Sequence, residues 1–217
     1  GAHKGVTPCT LRRLLIGKYE LVLRKEGYEE VKRQVTCKAN ALQTVESSLK
    51  MLPHFEAREH ARSGDEAIAR GDYENAIAFF ESACLLHPEE PAYLQKQAAA
   101  RRSLFQKQVN ETLAAYERAY ESEAAESLAS LLDFACEDFL NREMSNATAL
   151  FAAFDRIAIK FSDMRIPEEA NDEALVQLHL TIHAADAAGV NRLLVDTDAQ
   201  FRLRRKTEAF WKICAIE

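Results

Sequence analysis

The chain has 217 residues, 47% of them hydrophobic and 29% charged, the balance of an ordinary globular protein with apolar material for more than one small core. Seven Gly and five Pro exclude a collagen-like or low-complexity chain. The net charge of −6 is uneven, with 10 basic against 5 acidic side chains in residues 1–52 and 12 against 20 in residues 106–217. Overall acidity with scattered basic residues argues against nucleic acid as a partner, because the phosphate backbone demands clustered positive charge.

No run of 18 apolar residues is present, so no membrane span is expected. The chain opens at Gly1 without Met or a visible signal peptide and reads as a piece of a longer protein. Any membrane attachment would then come through an anchor upstream. The five cysteines, at 9, 37, 84, 136 and 214, include no CxxC pair, so no structural metal site or cofactor is expected. Cys84 and Cys136 fall in apolar helical patterns, where a small buried thiol is the default. Spacing alone leaves open whether Cys9 and Cys37 pair.

Residues 5–52 read as short strands. Lys18–Arg24 encloses an apolar run at Leu21, Val22 and Leu23. Val31, Arg33 and Val35 alternate with Lys32 and Gln34, and Val45 and Leu49 mark a third, weaker stretch. Turn signals at Ile16-Gly17-Lys18 and Glu26-Gly27-Tyr28 separate them, with Gly17 and Gly27 suited to positive φ. The pieces Gly5-Val6-Thr7-Pro8, Leu11, Gly17-Lys18-Tyr19 and Gly27-Tyr28 resemble the PEGA domain, a small β-sandwich on bacterial surface proteins and sensor kinases. The usual first strand is missing apart from Gly1-Ala2-His3-Lys4, so the resemblance implies a truncated sandwich over residues 1–52.

Pro53 marks a change to helical periodicity. Ala57, Ala61, Gly64 and Ala67 recur near 3.6 residues, Gly71 ends that helix, and Asp72 caps a second carrying Ala76, Phe80, Ala83 and Cys84 on one face. Gly64, Ala67, Gly71, Tyr73, Ala76, Phe80, Ala83 and Pro88 resemble one tetratricopeptide repeat. A single repeat cannot bury its own face, so the helix from Pro91 is expected to cover it, giving a second part over residues 53–105.

Residues 106–156 again look helical, through Val109, Leu113, Tyr116 and Tyr120, then Leu128, Leu131, Leu132, Ala135 and Phe139, then a short helix over roughly 144–154. Ile157–Phe161 opens a strand, and longer strands follow over 174–184, 193–206 and 209–216, with Gly189 in a hairpin connection. Helices followed by antiparallel strands give an α+β class. The order, and the closing Phe210-Trp211-Lys212-Ile213, resemble the nuclear-transport-factor-two-like (NTF2-like, or SnoaL-like) superfamily, within the cystatin-like folds. The resemblance implies that residues 106–217 pack helices into the hollow of a curved antiparallel sheet.

That superfamily holds enzymes and plain binding domains alike, so the pocket must decide. Alternation turns Val176, Leu178, Leu180 and Ile182 inward with Leu193, Val195, Thr197, Ala199, Phe201, Leu203, Trp211, Ile213 and Ala215, and turns Gln177, His179, Thr181, His183, Asp196, Asp198, Gln200, Arg202 and Arg204 outward. Phe151, Phe154, Leu178, Leu180, Phe201 and Trp211 are the candidate cavity residues. Asp163 is the one candidate catalytic acid, if a bulge after Phe161 turns it inward. His179 and His183 share a strand face about 13 Å apart, too far for one metal ion. The inward surface is therefore expected to offer no general acid or base.

Three readings remain open. One is a non-catalytic binding region of a bacterial surface or sensor protein, outside the cytoplasm, downstream of a Ser/Thr kinase domain and binding a protein or a small molecule. Another is a small-molecule isomerase, dehydratase or hydrolase using the C-terminal cavity. The third is a structural spacer with that cavity filled. The outward polar face is either wet or the interface of a homodimer.

Overall fold

The computed structural model describes residues 5–39, 41–169, 172–207 and 210–217. They form six strands and five helices: β1 (Gly17–Leu23), β2 (Val31–Cys37), α1 (Pro53–Ala69), α2 (Tyr73–Leu86), α3 (Pro91–Glu121), α4 (Ala125–Leu131), α5 (Glu137–Ala153), β3 (Arg156–Glu169), β4 (Glu173–Ala185), β5 (Asn191–Thr207) and β6 (Phe210–Ile216). The chain divides into two compact units, Gly1–Arg101 and Arg102–Glu217, with the division inside α3.

In the first unit, β1 and β2 form an antiparallel hairpin from Gly17↔Cys37 to Leu23↔Val31. Gly27, in the connection, has φ +80, and a Cβ there would lie 2.5 Å from the Phe55 ring, so the position needs glycine twice over. Gly17 instead opens β1 at no positive φ. The stretch around Val45 and Leu49 forms no strand; its end makes only an isolated bridge, Tyr28↔Met51, so the described β-structure is a two-stranded hairpin. Gly1–Lys4 lie outside the described residues, and Cys9 and Cys37 are not joined.

The helices α1 and α2 pack through small residues, as the periodicity predicts. Ala57, Ala61, Ala67, Ala76, Ala83 and Ala100 are buried around a fully buried Phe80. A Cβ on Gly64 would sit 2.7 Å from the Phe80 ring, so glycine there sets how closely the two helices approach. Asp72 caps α2 by accepting from the Asn75 N–H at 3.3 Å.

In the second unit, four strands form one antiparallel sheet in the order β3-β4-β5-β6. Register shifts interrupt β3 at Ser162–Arg165, β5 beside Ile182–His183 and again at Arg202–Leu203; such bulges bend and twist a sheet. The shift at Arg202 places Ile216, rather than Ala215, opposite Phe201 and against the core. The β4–β5 connection is held by Asp186, whose Oδ1 accepts from the N–H groups of Ala188 and Val190 at 3.0 and 3.1 Å.

The helical part differs from the periodicity reading at one point. The chain breaks at Leu132–Cys136, and α5 then runs unbroken through Phe139 and Leu150. Asp133 makes the break: its N–H donates to the Ile213 carbonyl at 2.9 Å, and its Oδ1 accepts from the Ala135 N–H at 3.0 Å. Both bonds satisfy a non-helical backbone. Beyond the break, Cys136 is bonded to Cys214 of β6, so the predicted buried thiol is half of a disulfide spanning 78 residues.

Candidate functional site

The helix-facing side of the four-stranded sheet follows alternation at Val176, Leu178, Leu180, Ala199, Phe201, Leu203, Trp211 and Ile213, all buried, but not at Leu193 and Thr197, which are exposed near the bulged end of β5. Of the candidate cavity residues, Leu178, Leu180, Phe201 and Trp211 lie in this layer, and Phe151 and Phe154 pack half-buried against it. The rings interlock edge to face. Phe201 meets Phe161 at 5.3 Å and Tyr116 at 5.9 Å between centroids, Phe151 meets Tyr120 at 5.6 Å, and Trp211 meets Phe105 at 5.1 Å. Such pairs add about 0.5–1.5 kcal/mol each beyond the area they bury. The Trp211 indole N–H donates to Gln108 Oε1 at 3.1 Å, and the Arg205 guanidinium lies 4.7 Å above its ring.

The inward surface is not free of ionisable groups, and here the expectation fails. Glu143 of α5 is only 9% exposed, and its Oε1 accepts from the hydroxyls of both Tyr116 and Tyr120 of α3. Burial, and then the Glu143 charge, push both phenols above their ordinary range, so they stay neutral donors. Among the described residues the inward strand faces hold no such group; the helices bring it. A signal was present in the sequence, because Phe139, Glu143 and Ala147 form an i, i+4, i+8 stripe, as Tyr116 and Tyr120 form i, i+4 on α3. A carboxylate in a buried stripe needs partners, and two hydroxyls at helical spacing supply them.

Asp163 does not join this group. It sits at the predicted bulge with φ +52, yet it is exposed. It lines a depression of about 650 Å³ with Arg165, Gln177, His179, Asp198, Gln200 and Glu217. Ser162 pairs with His179 and Arg165 with Gln177, so Asp163 and Met164 together lie opposite Leu178; Met164 packs against the core, while Asp163, at positive φ, turns to the polar face. In the same depression, His179 lies between two carboxylates, Nδ1 at 2.9 Å from Asp198 and Nε2 at 2.7 Å from Asp196. Both nitrogens donate only when the ring is protonated, and the bonds to Asp198 and then Asp196 raise its pKa above 6.5.

A second buried acid, Asp133, is 1% exposed and lies at the α4–α5 break. Arg204 of β5 reaches its Oδ2 at 3.6 Å, Cys136 Sγ at 4.0 Å and Glu173 Oε1 at 3.0 Å. Neither Asp133 nor the disulfide was foreseen, because their proximity depends on how β6 lies against the helix break.

Residues 1–53 match the PEGA domain family model. No curated protein matches the chain. Among solved structures, the chain is similar to a proposed dehydratase from the NTF2-like family of Streptomyces avermitilis (19% identity, 51% of this chain and 92% of that one, TM-score 0.43). It is similar to a proposed scytalone dehydratase of Novosphingobium aromaticivorans (14% identity, 52% and 80%, TM-score 0.41). It is also similar to the β subunit of a proposed aromatic-ring-hydroxylating dioxygenase of that organism (11% identity, 53% and 88%, TM-score 0.44).

Proposed function

We propose that this chain is a non-catalytic binding region of a bacterial surface or sensor protein, made of a PEGA module, a tetratricopeptide-type helical hairpin and an NTF2-like domain. The observation that carries its non-catalytic side is the ring packing around Glu143 on the helix face of the C-terminal sheet. Phe151, Phe161, Phe201, Tyr116 and Tyr120 pack ring against ring there, and the Glu143 carboxylate holds two hydroxyls. A general base needs a lone pair directed at substrate, whereas the Oε1 of Glu143 is directed at two phenols of its own protein. The pairing serves instead as a buried polar anchor that fixes α5 against α3.

The PEGA match supports a place outside the cytoplasm, and so does the Cys136–Cys214 disulfide, since such bonds persist in oxidising compartments. The exposed Leu85 and Leu94, on α2 and α3, support a protein partner at the helical hairpin. No helix among the described residues is long and apolar enough to cross a membrane.

Glu143 favours a second reading, an acid–base enzyme acting on a small molecule within the hollow. Thermal unfolding with a panel of small aromatic and polyketide-like compounds separates the two. The non-catalytic reading expects no shift in Tm that depends on Glu143. A saturable shift that Glu143→Gln abolishes in a folded chain supports the enzyme and overturns the first reading.

A further inference from the structure

The Cys136–Cys214 disulfide has an acid beside it. Ligand atoms of Asp133, Cys136 and Cys214 all lie within 4.8 Å of one another, with the carboxylate buried and both sulfurs half-buried. We propose that, once the disulfide is reduced, these three side chains bind a thiophilic divalent cation of the zinc class, with an exchangeable water in the fourth position. The disulfide and the metal centre are then alternative states of one site.

The geometry permits the exchange without moving the backbone. The two Cα atoms are 5.5 Å apart. Zinc–sulfur bonds of about 2.3 Å in a tetrahedron place two sulfurs about 3.7 Å apart, a separation that side-chain rotation from bonded contact provides. Asp133 is fixed in advance, because its Oδ1 accepts from the Ala135 N–H and its own N–H donates to the carbonyl of Ile213, next to Cys214. Donor type agrees as well, since two thiolates and a carboxylate select a borderline-soft ion.

Charge supplies an independent reason. Two thiolates and one carboxylate carry three negative charges and a divalent ion leaves one. The Arg204 guanidinium, near both Asp133 and Cys136 and shared with Glu173, offsets part of it. Offsetting charge lowers the desolvation cost of a buried ion. The chemistry balances with a dithiol as reductant. The dithiol gives up two electrons and two protons, breaks the S–S bond and becomes a disulfide itself. Each Cys thiol then loses its proton to solvent as its S–metal bond forms.

The test uses the full 217-residue chain carrying Cys9→Ser, Cys37→Ser and Cys84→Ala, reduced without oxygen and titrated with Co²⁺. Stoichiometric thiolate-to-cobalt charge-transfer absorption that is lost in Cys214→Ser supports the site. So does an Asp133→Asn variant that weakens binding by more than the ~10–100-fold typical of losing an outer partner. Cadmium NMR of the Asp133 chain, which needs no further variant, should give a shift between those of four-sulfur and all-oxygen centres. A folded, reduced chain without charge-transfer absorption overturns the proposal, as does absorption that survives Cys214→Ser. An all-sulfur or all-oxygen cadmium shift overturns it as well.

Discussion

Reducing the Cys136–Cys214 disulfide should destabilise the second unit strongly, and the size follows from the chain. The bond closes a loop of 78 residues, across α5, β3, β4, β5 and most of β6. Loop-closure entropy for that length amounts to about 4.5 kcal/mol at 25 °C, within the roughly 2–5 kcal/mol that removing a native disulfide costs. The bond also ties the α5 start to β6, the strand that carries Trp211. Trp211 is the sole tryptophan and is buried against Phe105, so its fluorescence reports on this unit. In urea, with a slope of about 1.5–2 kcal/mol per molar, the Trp211 transition should fall by roughly 2–3 M when dithiothreitol is added. Cys136→Ser/Cys214→Ser should reproduce the reduced midpoint without reductant. A midpoint that moves by less than about 0.5 M in both would refute the reasoning, since such a change is far below the loop-closure estimate.

Phe80→Ala should cost the first unit about 3–5 kcal/mol, and Gly64→Ala about 1–3 kcal/mol through overpacking, both read as loss of helical circular dichroism at lower denaturant. Glu143→Leu should destabilise by about 1–3 kcal/mol for each of the two phenols left without an acceptor. Glu143→Gln should cost less, because its amide oxygen still accepts; equal losses for the two variants would remove the hydrogen bonds from the account. His179 should titrate above 6.5 by NMR, and Asp198→Asn should bring it down. Because its folded pKa is raised, the contribution of this pairing to stability is fully present below pH 6.5 and is lost as pH rises through the folded value. A His179 titrating at or below 6.5 would contradict the two carboxylate contacts.

The sequence made strand faces easy to read and inter-element contacts hard. Period-two alternation located Leu178, Phe201 and Trp211 in the buried layer, because a strand sends alternate side chains to opposite faces whatever packs on them. It misplaces Ala215 because a bulge at Cys214, opposite Arg202 and Leu203, shifts the parity of β6. The change of alternation after Phe161 marks the bulge that carries Asp163 and allows either direction for it, inward or to water; the side chain is exposed. Strand alternation says nothing about α5, so it does not reach Glu143, although the Phe139–Glu143–Ala147 stripe is present in the sequence. The helix break at Asp133 hides inside an apolar pattern. Its cause is a bond to Ile213, 80 residues along the chain, and no local propensity reports such a contact. The Cys136–Cys214 pairing has the same origin.

The decisive measurement is NMR of the Phe151, Phe161 and Phe201 ring signals during titration with small aromatic compounds. If those rings and the Tyr-bound carboxylate fill the space between α3, α5 and the sheet, their signals stay put at every concentration. Saturable, stoichiometric movement of these rings would mean that the space admits a guest, and would contradict a hollow closed by its own rings.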